Sequence, residues 1–282
     1  MPQYNLKDHL GNTRVTFTTK PKTVEFTASF ESERAAEEEA LYYNVAESRV
    51  TFSAAEANVD GGNEVTRING SQPMGAGLAL YVAPGDLLDM EVYGYYEGGS
   101  GYSTQSGINA IIGAVAGGFG GATGVGATEG QQGTFDALNS AITGVGLNGT
   151  SDDNVPAAFL NYMLFDEAMA MYQHGFVQIS SAAGMDHEHM FLEDVLVEKE
   201  GLAYVWVSNE SASLNWVYFD DMTVTLREGI LVQQEDYYPL GLSFNGYKRY
   251  DPNYEGTYST GGLGLKDLGF RQYDITTGRF HV

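Results

Sequence analysis

Apolar and polar residues alternate with period two along short stretches of this chain, the pattern of half-buried strands. Thr13-Arg14-Val15-Thr16-Phe17 alternates in this way, and so do residues 24–30. Strand-like runs follow at 49–53, 77–82, 87–96, 190–198, 202–208 and 214–226. Leu202 to Val207 and Trp216 to Phe219 are rich in the β-branched and aromatic residues that strands favour. Residues 159–165 and 169–179 read as two more strands, although the Ala, Leu, Met and Glu of 157–172 also suit a helix.

Punctuation between the runs supports a meander of antiparallel strands. Gly11-Asn12 marks a hairpin after Tyr4-Asn5-Leu6-Lys7, and Pro84-Gly85-Asp86 is a turn feeding the run at 87–96. One short helix is expected at 33–43, capped by Ser32. Residues 98–149 break the pattern, with 16 of the chain's 36 glycines and few charges. There, Ile108 to Ala116 and Thr134 to Ile142 are candidate apolar helices. Residues 227–236 read as a link to a tail with strand-like pieces at 241–250 and 268–281. Strands at this spacing predict an all-β sandwich rather than βαβ units.

Charge narrows the functions. Thirty-seven acidic residues against 14 basic ones give a formal net charge of −23, which repels nucleic acid and anionic lipid and attracts cations. With no cysteine there are no disulfides, thiolate metal sites or cysteine nucleophiles. Residues 107–127 carry no charge, and Gly113, Gly117 and Gly121 are spaced as in membrane helix pairs. The run lacks large apolar residues and aromatic or basic belts, so no membrane span is expected. Met1-Pro2-Gln3-Tyr4 shows neither a basic nor an apolar leader, and the chain starts and stops inside patterned sequence, as a fragment would.

The two ends carry a family resemblance. Asp8-His9-Leu10-Gly11-Asn12-Thr13-Arg14-Val15 resembles the DHLGN-x-RV signature of RHS/YD-repeat-associated core regions of Bacteroidetes type. Asp236-Tyr237-Tyr238-Pro239-Leu240-Gly241 resembles that family's DYYPFG element, with Leu240 in place of phenylalanine. Leu263 to Asp274, followed by Gly278-Arg279-Phe280, resembles its LGLYDFGAR-x-YDP-x-x-GRF element, with Ile275 in place of proline. The resemblance implies short hairpins that stack into a β-shell, and a parent protein exported to the cell surface or medium with a variable C-terminal domain, often a toxin. The chain stops at Val282, short of the family's Asp-Pro, so no autoproteolytic residue is assigned.

The middle resembles carbohydrate-binding-type jelly rolls, through Phe30-Glu31, Ala83-Pro84-Gly85-Asp86 and the closing Tyr218-Phe219-Asp220-Asp221-Met222-Thr223-Val224. The expected organisation is a core hairpin at 1–21, a jelly roll at 22–227 with a Gly/Ala-rich insertion at 98–150, and an RHS-type C-terminal segment at 228–282. In calcium-bearing jelly rolls of this kind an early glutamate and an aspartate of the last strand share a structural calcium ion. The counterparts are Glu31 and Asp220 or Asp221, with backbone carbonyls completing the shell.

Other chemistry is thinner. Asp186-His187-Glu188-His189 places two histidines on one strand face, but a transition metal needs further ligands, and a polar loop before a strand is the simpler reading. No nucleophile elbow, phosphate loop or zinc-protease motif occurs, and no carboxylate pair is singled out by spacing. Trp206 and Trp216 lie in strand runs, and Trp206 alternates with Tyr204, which favours burial of at least one of them. The reading is a non-catalytic structural or interaction region, a jelly roll presented from an RHS-type shell, with its own shell and C-terminal domain as partners. A glycan-binding adhesin module is the first alternative, and a polysaccharide-acting enzyme the second.

Overall fold

The structure, a computed structural model, describes residues 2–59, 61–98, 154–166, 170–211, 215–238, 243–248, 265–267, 272–274 and 279–281. The insertion expected at 98–150, with its helices at 108–116 and 134–142 and its glycines 113, 117 and 121, falls outside the described residues apart from Gly98. Among the described residues no helix is long and apolar enough to cross a membrane.

In chain order the strands are β1 (Gln3–Lys7), β2 (Thr13–Thr18), β3 (Thr23–Ala28), β4 (Tyr42–Tyr43), β5 (Arg49–Thr51), β6 (Glu64–Ile68), β7 (Met74–Val82), β8 (Leu87–Tyr96) and β9 (Ala158–Asp166). They continue as β10 (Met171–Gln178), β11 (Glu188–Leu196), β12 (Gly201–Asn209), β13 (Val217–Arg227), β14 (Leu231–Tyr237), β15 (Ser243–Lys248), β16 (Leu265–Asp267), β17 (Gln272–Asp274) and β18 (Arg279–His281). Two helices, α1 (Ala35–Leu41) and α2 (Val45–Ser48), lie between β3 and β5. The chain divides into two compact units, Thr23–Glu228, and Met1–Lys22 together with Gly229–Val282.

The unit Thr23–Glu228 is a jelly-roll sandwich of two antiparallel sheets. One runs β10-β9-β12-β7-β4 and the other β11-β8-β13-β6-β5. One edge of β13 pairs with β8, and the other is shared by β6 at Val217–Phe219 and β3 at Met222–Arg227. From β10 to β13 successive strands alternate between the sheets. Leu78, Leu160, Leu164, Val205 and Val207 from one sheet meet Leu88, Met90, Val92, Phe219 and Val224 from the other in a buried core.

β8 shows the expected alternation, with every second residue buried. β9 and β12 do not, because both of their faces are covered. Their second face carries Phe159, Met163, Phe165, Tyr204 and Trp206, all buried, with the Tyr204 and Trp206 rings 5.2 Å apart. A strand buried on both sides has no period to read, hence the helix-like look of 157–172.

Several boundaries differ from expectation. The helix expected at 33–43 is a turn of 3-10 helix at Ser32–Arg34 and then α1. Ser32 makes no side-chain cap, and its backbone amide donates instead to Glu64 Oε2 at 2.6 Å. Residues 231–237, read as part of a link, form strand β14. Gln233, Gln234 and Glu235 obscure that strand because its sheet buries no apolar stripe there.

In the second unit β1, β2, β14 and β15 form one antiparallel sheet. The turn between β1 and β2 has Gly11 at φ +89, where glycine is favoured. Asp8 accepts the amides of Leu10 and Asn12 there, each at 2.9 Å. Arg14 of β2 pairs with Asp236 of β14 at 2.5 Å. β16, β17 and β18 form a three-stranded antiparallel sheet.

Candidate functional site

Two acidic side chains reach the chain between β5 and β6 from different sides. After β3, Phe30 is fully buried with φ +63, an unfavourable conformation for a residue with a side chain. Arg49 Nε holds that kink by donating to the Phe30 carbonyl at 2.7 Å. Arg49 is held in turn by Glu38 at 3.2 Å and Glu39 at 2.5 Å. The kink delivers Glu31, whose Oε1 accepts the Asn63 amide at 2.8 Å and the Glu64 amide at 3.0 Å.

On β13 the ladder shifts between Asp220 and Thr223, and Asp221 sits at φ +46. Asp220 Oδ2 accepts the Val59 amide at 2.8 Å, and its Oδ1 accepts the Asp221 amide at 3.0 Å. Burial pushes the Asp220 carboxyl up to about 7, and repulsion from Asp221 and Glu31 adds to the shift.

Asn58 completes the corner. Its Nδ2 donates to the carbonyls of Phe52 and Ala54, which turns Oδ1 the other way, and Oδ1 is buried without a partner. A Cβ on Gly62 would collide with Glu31 Oε1, and Asn58 Oδ1 is 3.7 Å from that same point. Carboxylate, amide and backbone oxygens are the ligands of a hard cation such as Ca²⁺. An unsatisfied buried oxygen beside mutually repelling carboxylates fits that group. Among the described residues no three His, Asp or Glu side chains gather in a metal-holding group, so a cation here would have only two carboxylates and would need the Asn58 amide and backbone oxygens to complete its shell. Of the three sequence candidates, Glu31 and Asp220 flank Asn58–Glu64. Asp221 acts on Asp220 through its backbone amide and its charge.

The outward face of the six-stranded sheet carries aromatic rings, a feature sequence reading did not resolve. Register sets His189 of β11 opposite Tyr93 of β8, and Tyr218 of β13 opposite Tyr95. His189 stacks on Tyr93 at 4.8 Å and lies 5.2 Å from Phe191, which is 50% exposed. Further along, Phe52 stacks on Tyr218 at 4.1 Å and reaches Tyr95 at 6.5 Å. Glu91 Oε2 lies 2.8 Å from His189 Nε2. His187 packs edge-on against Tyr93 at 5.6 Å and walls an open depression of about 580 Å³ shared with Ser53, Asn58, Val59 and Asn63. His187 lies in the loop just before β11 and His189 on the strand itself, and both rings pack on Tyr93. Trp206 is buried, and Trp216 is half-buried with the Arg67 guanidinium 4.2 Å over its ring.

Among the described residues, the carboxyls of Asp220 and Glu210 are pushed up to about 7, burial being the leading cause for each. Asp220 lies on the six-stranded sheet, Glu210 follows β12 of the five-stranded one, and both oxygens of Asp220 already accept backbone amides.

No family model matches the chain, so the likeness of its ends to RHS/YD-repeat cores rests on the motifs alone. No curated protein matches it either. Among solved structures it is similar to the C-terminal family 22 carbohydrate-binding module of Clostridium thermocellum Xyn10B, with 11% identity and a TM-score of 0.32 over 65% of this chain and 82% of that one. It is also similar to the N-terminal CBM22-1–CBM22-2 tandem of Paenibacillus barcinonensis Xyn10C, with 9% identity, a TM-score of 0.37 and coverage of 75% and 47%. A third is the C. thermocellum xylanase 10B CBM22-1–GH10 structure complexed with xylohexaose, with 10% identity, a TM-score of 0.32 and coverage of 67% and 26%. The fold assignment stands on the strand pairing, and the site geometry is this chain's own.

Proposed function

We propose that the unit Thr23–Glu228 is a non-catalytic glycan-binding module of a protein that works at the cell surface or in the medium. The observation that carries this reading is the row Phe191, His189 and Tyr93 on an outward sheet face, beside the open depression at His187. Ring faces offer flat apolar area to the C–H faces of a sugar, and Glu91, His189, Ser53 and Asn63 supply groups for its hydroxyls. The acidic balance of the chain favours an uncharged glycan over a sulfated or uronic one. The test is binding of the whole chain to a panel of neutral and acidic polysaccharides by affinity electrophoresis. Retardation by a neutral polymer that is lost in Tyr93→Ala supports the reading, and no retardation by any polymer removes it.

A structural role accompanies this one. The RHS-like ends would be hairpins of a larger β-shell from which the module is displayed, the shell carrying a variable C-terminal domain. In that reading the sheet that β1 and β2 share with β14 and β15 would be the shell-side unit. A structural calcium ion at Glu31 and Asp220 belongs to the same proposal, supported by the partnerless Asn58 Oδ1 and the raised Asp220 carboxyl. Bound there, the ion would supply charge neutralisation and crosslinking, with no part in a reaction.

A further inference from the structure

The residues that line the depression are the residues that converge on the two carboxylates. Asn58, Val59, Gly62 and Asn63 all wall the depression. Val59 and Asn63 bind Asp220 and Glu31 through their backbone amides, at 2.8 Å each. Asn58 turns its buried, partnerless Oδ1 towards the same corner, and Gly62 leaves room for Glu31. Phe52, on the same connection, packs against Tyr218 and Tyr95 of the aromatic face.

We propose that a divalent cation held by Glu31, Asn58 Oδ1 and Asp220 sets the shape of the depression, so that cation binding and ligand binding are coupled through the chain between β5 and β6. Without the ion, the buried carboxyl of Asp220 and the half-buried one of Glu31 repel each other beside an unsatisfied amide oxygen, and the connection is tied down by backbone amides, the Asn58 side chain and the packing of Phe52. With the ion, those oxygens become ligands and the wall beside His187 is clamped to β13 and to the Glu31 segment that follows β3. Coupling of this kind is reciprocal, so a sugar that needs the ordered wall also tightens the ion. The inference rests on the glycan reading for its ligand, but the cation's control of the wall can be read without any sugar.

The experiment uses the full chain in calcium chloride and in EDTA. Amide hydrogen exchange reports the wall, and calorimetric titration of xylohexaose, cellohexaose and mannohexaose reports the site. The expected result is that calcium slows exchange at Val59, Asn63 and Glu64, and that a sugar which binds does so at least about tenfold more tightly with calcium. Asp220→Asn abolishes the protection, and Glu31→Gln, which keeps an acceptor oxygen for the Asn63 and Glu64 amides but loses the charge, weakens it. Unchanged exchange at those amides overturns the proposal, as does equal protection in Asp220→Asn, or a sugar affinity indifferent to calcium. If none of the three binds under either condition, the glycan reading falls for xylan-, cellulose- and mannan-type chains. Calcium-dependent protection of the same amides would then still uphold the cation's control of the wall.

Discussion

Asp220 of β13 accepts the Val59 backbone amide at 2.8 Å across 161 residues of sequence, and Glu31 acts on the same carboxyl from the end of β3. One contact therefore ties the last strand of the sandwich to a connection near its beginning, and it does so with a carboxyl that is 4% exposed.

That burial makes stability pH-dependent. A folded-state value raised from 3.8 to about 7 means the folded chain holds this proton more tightly than the unfolded chain does. No penalty exists below the lower value; stability falls as pH rises between the two and stays low above the upper one. Glu210, raised from 4.5 to about 7, adds a second penalty of the same sign. In EDTA the melting temperature should fall from pH 4.5 to pH 7.5, with a combined cost on the order of a few kcal/mol. Asp220→Asn and Glu210→Gln should each flatten part of the slope. Calcium at pH 7.5 should restore the Asp220 share alone. Variant profiles parallel to wild type would remove this account.

Arg49→Met should destabilise the chain by about 3 kcal/mol, because it leaves Glu38, 1% exposed, charged and without its cation. It also releases the Phe30 carbonyl. Urea unfolding measures the loss, and the double variant with Glu38→Gln should recover most of it. A single-variant cost below about 1 kcal/mol would show that the pair is not a stabilising anchor.

Gly201→Ala should cost about 2 kcal/mol or more, since its Cβ would meet the Phe165 carbonyl oxygen and the Asp166 backbone, which cannot swing aside. Gly85→Ala meets nothing within 4 Å and suffers only its φ of +87, so about 1 kcal/mol is expected. Equal melting temperatures for the two variants would contradict the close β9–β12 approach.

Phe191→Ala should weaken binding of any retarding glycan at least about tenfold, equivalent to about 1.4 kcal/mol, while moving the melting temperature little. Leu196→Ala, on the same strand and similarly exposed at 49%, is the control and should leave binding intact. Equal loss in both variants would point to a general surface effect instead of ring stacking.

Much of the architecture could be read from residue order. The Gly11-Asn12 hairpin, the long run at 87–96 and the closing Val217–Arg227 strand all appear where alternation and turn residues put them. Their signal is local, because each has one covered face and one open one. β14 was hidden because Gln233, Gln234 and Glu235 carry no apolar stripe. At the candidate cation corner, Glu31 and Asp220 were visible through the resemblance, whereas Asn58 was not. Its significance depends on where Nδ2 finds two carbonyls, which only the folded connection determines. The aromatic row was equally hidden, since Tyr93, His189 and Phe191 become neighbours through the β8–β11 register.

Thr23 and Arg227, the first and last paired residues of the jelly roll, are register partners on adjacent antiparallel strands. Partners of this kind have Cα atoms about 5 Å apart. In the other unit Phe17 and Leu231, which bracket the same stretch of chain, are also partners. Each unit thus brings its own two cut ends together without help from the other. To the small sheet, the 206 residues of Thr23–Glu228 are topologically a long hairpin loop. A position that closes on itself in this way is indifferent to the length of chain between its two ends, because the strands on either side pair whatever lies between them.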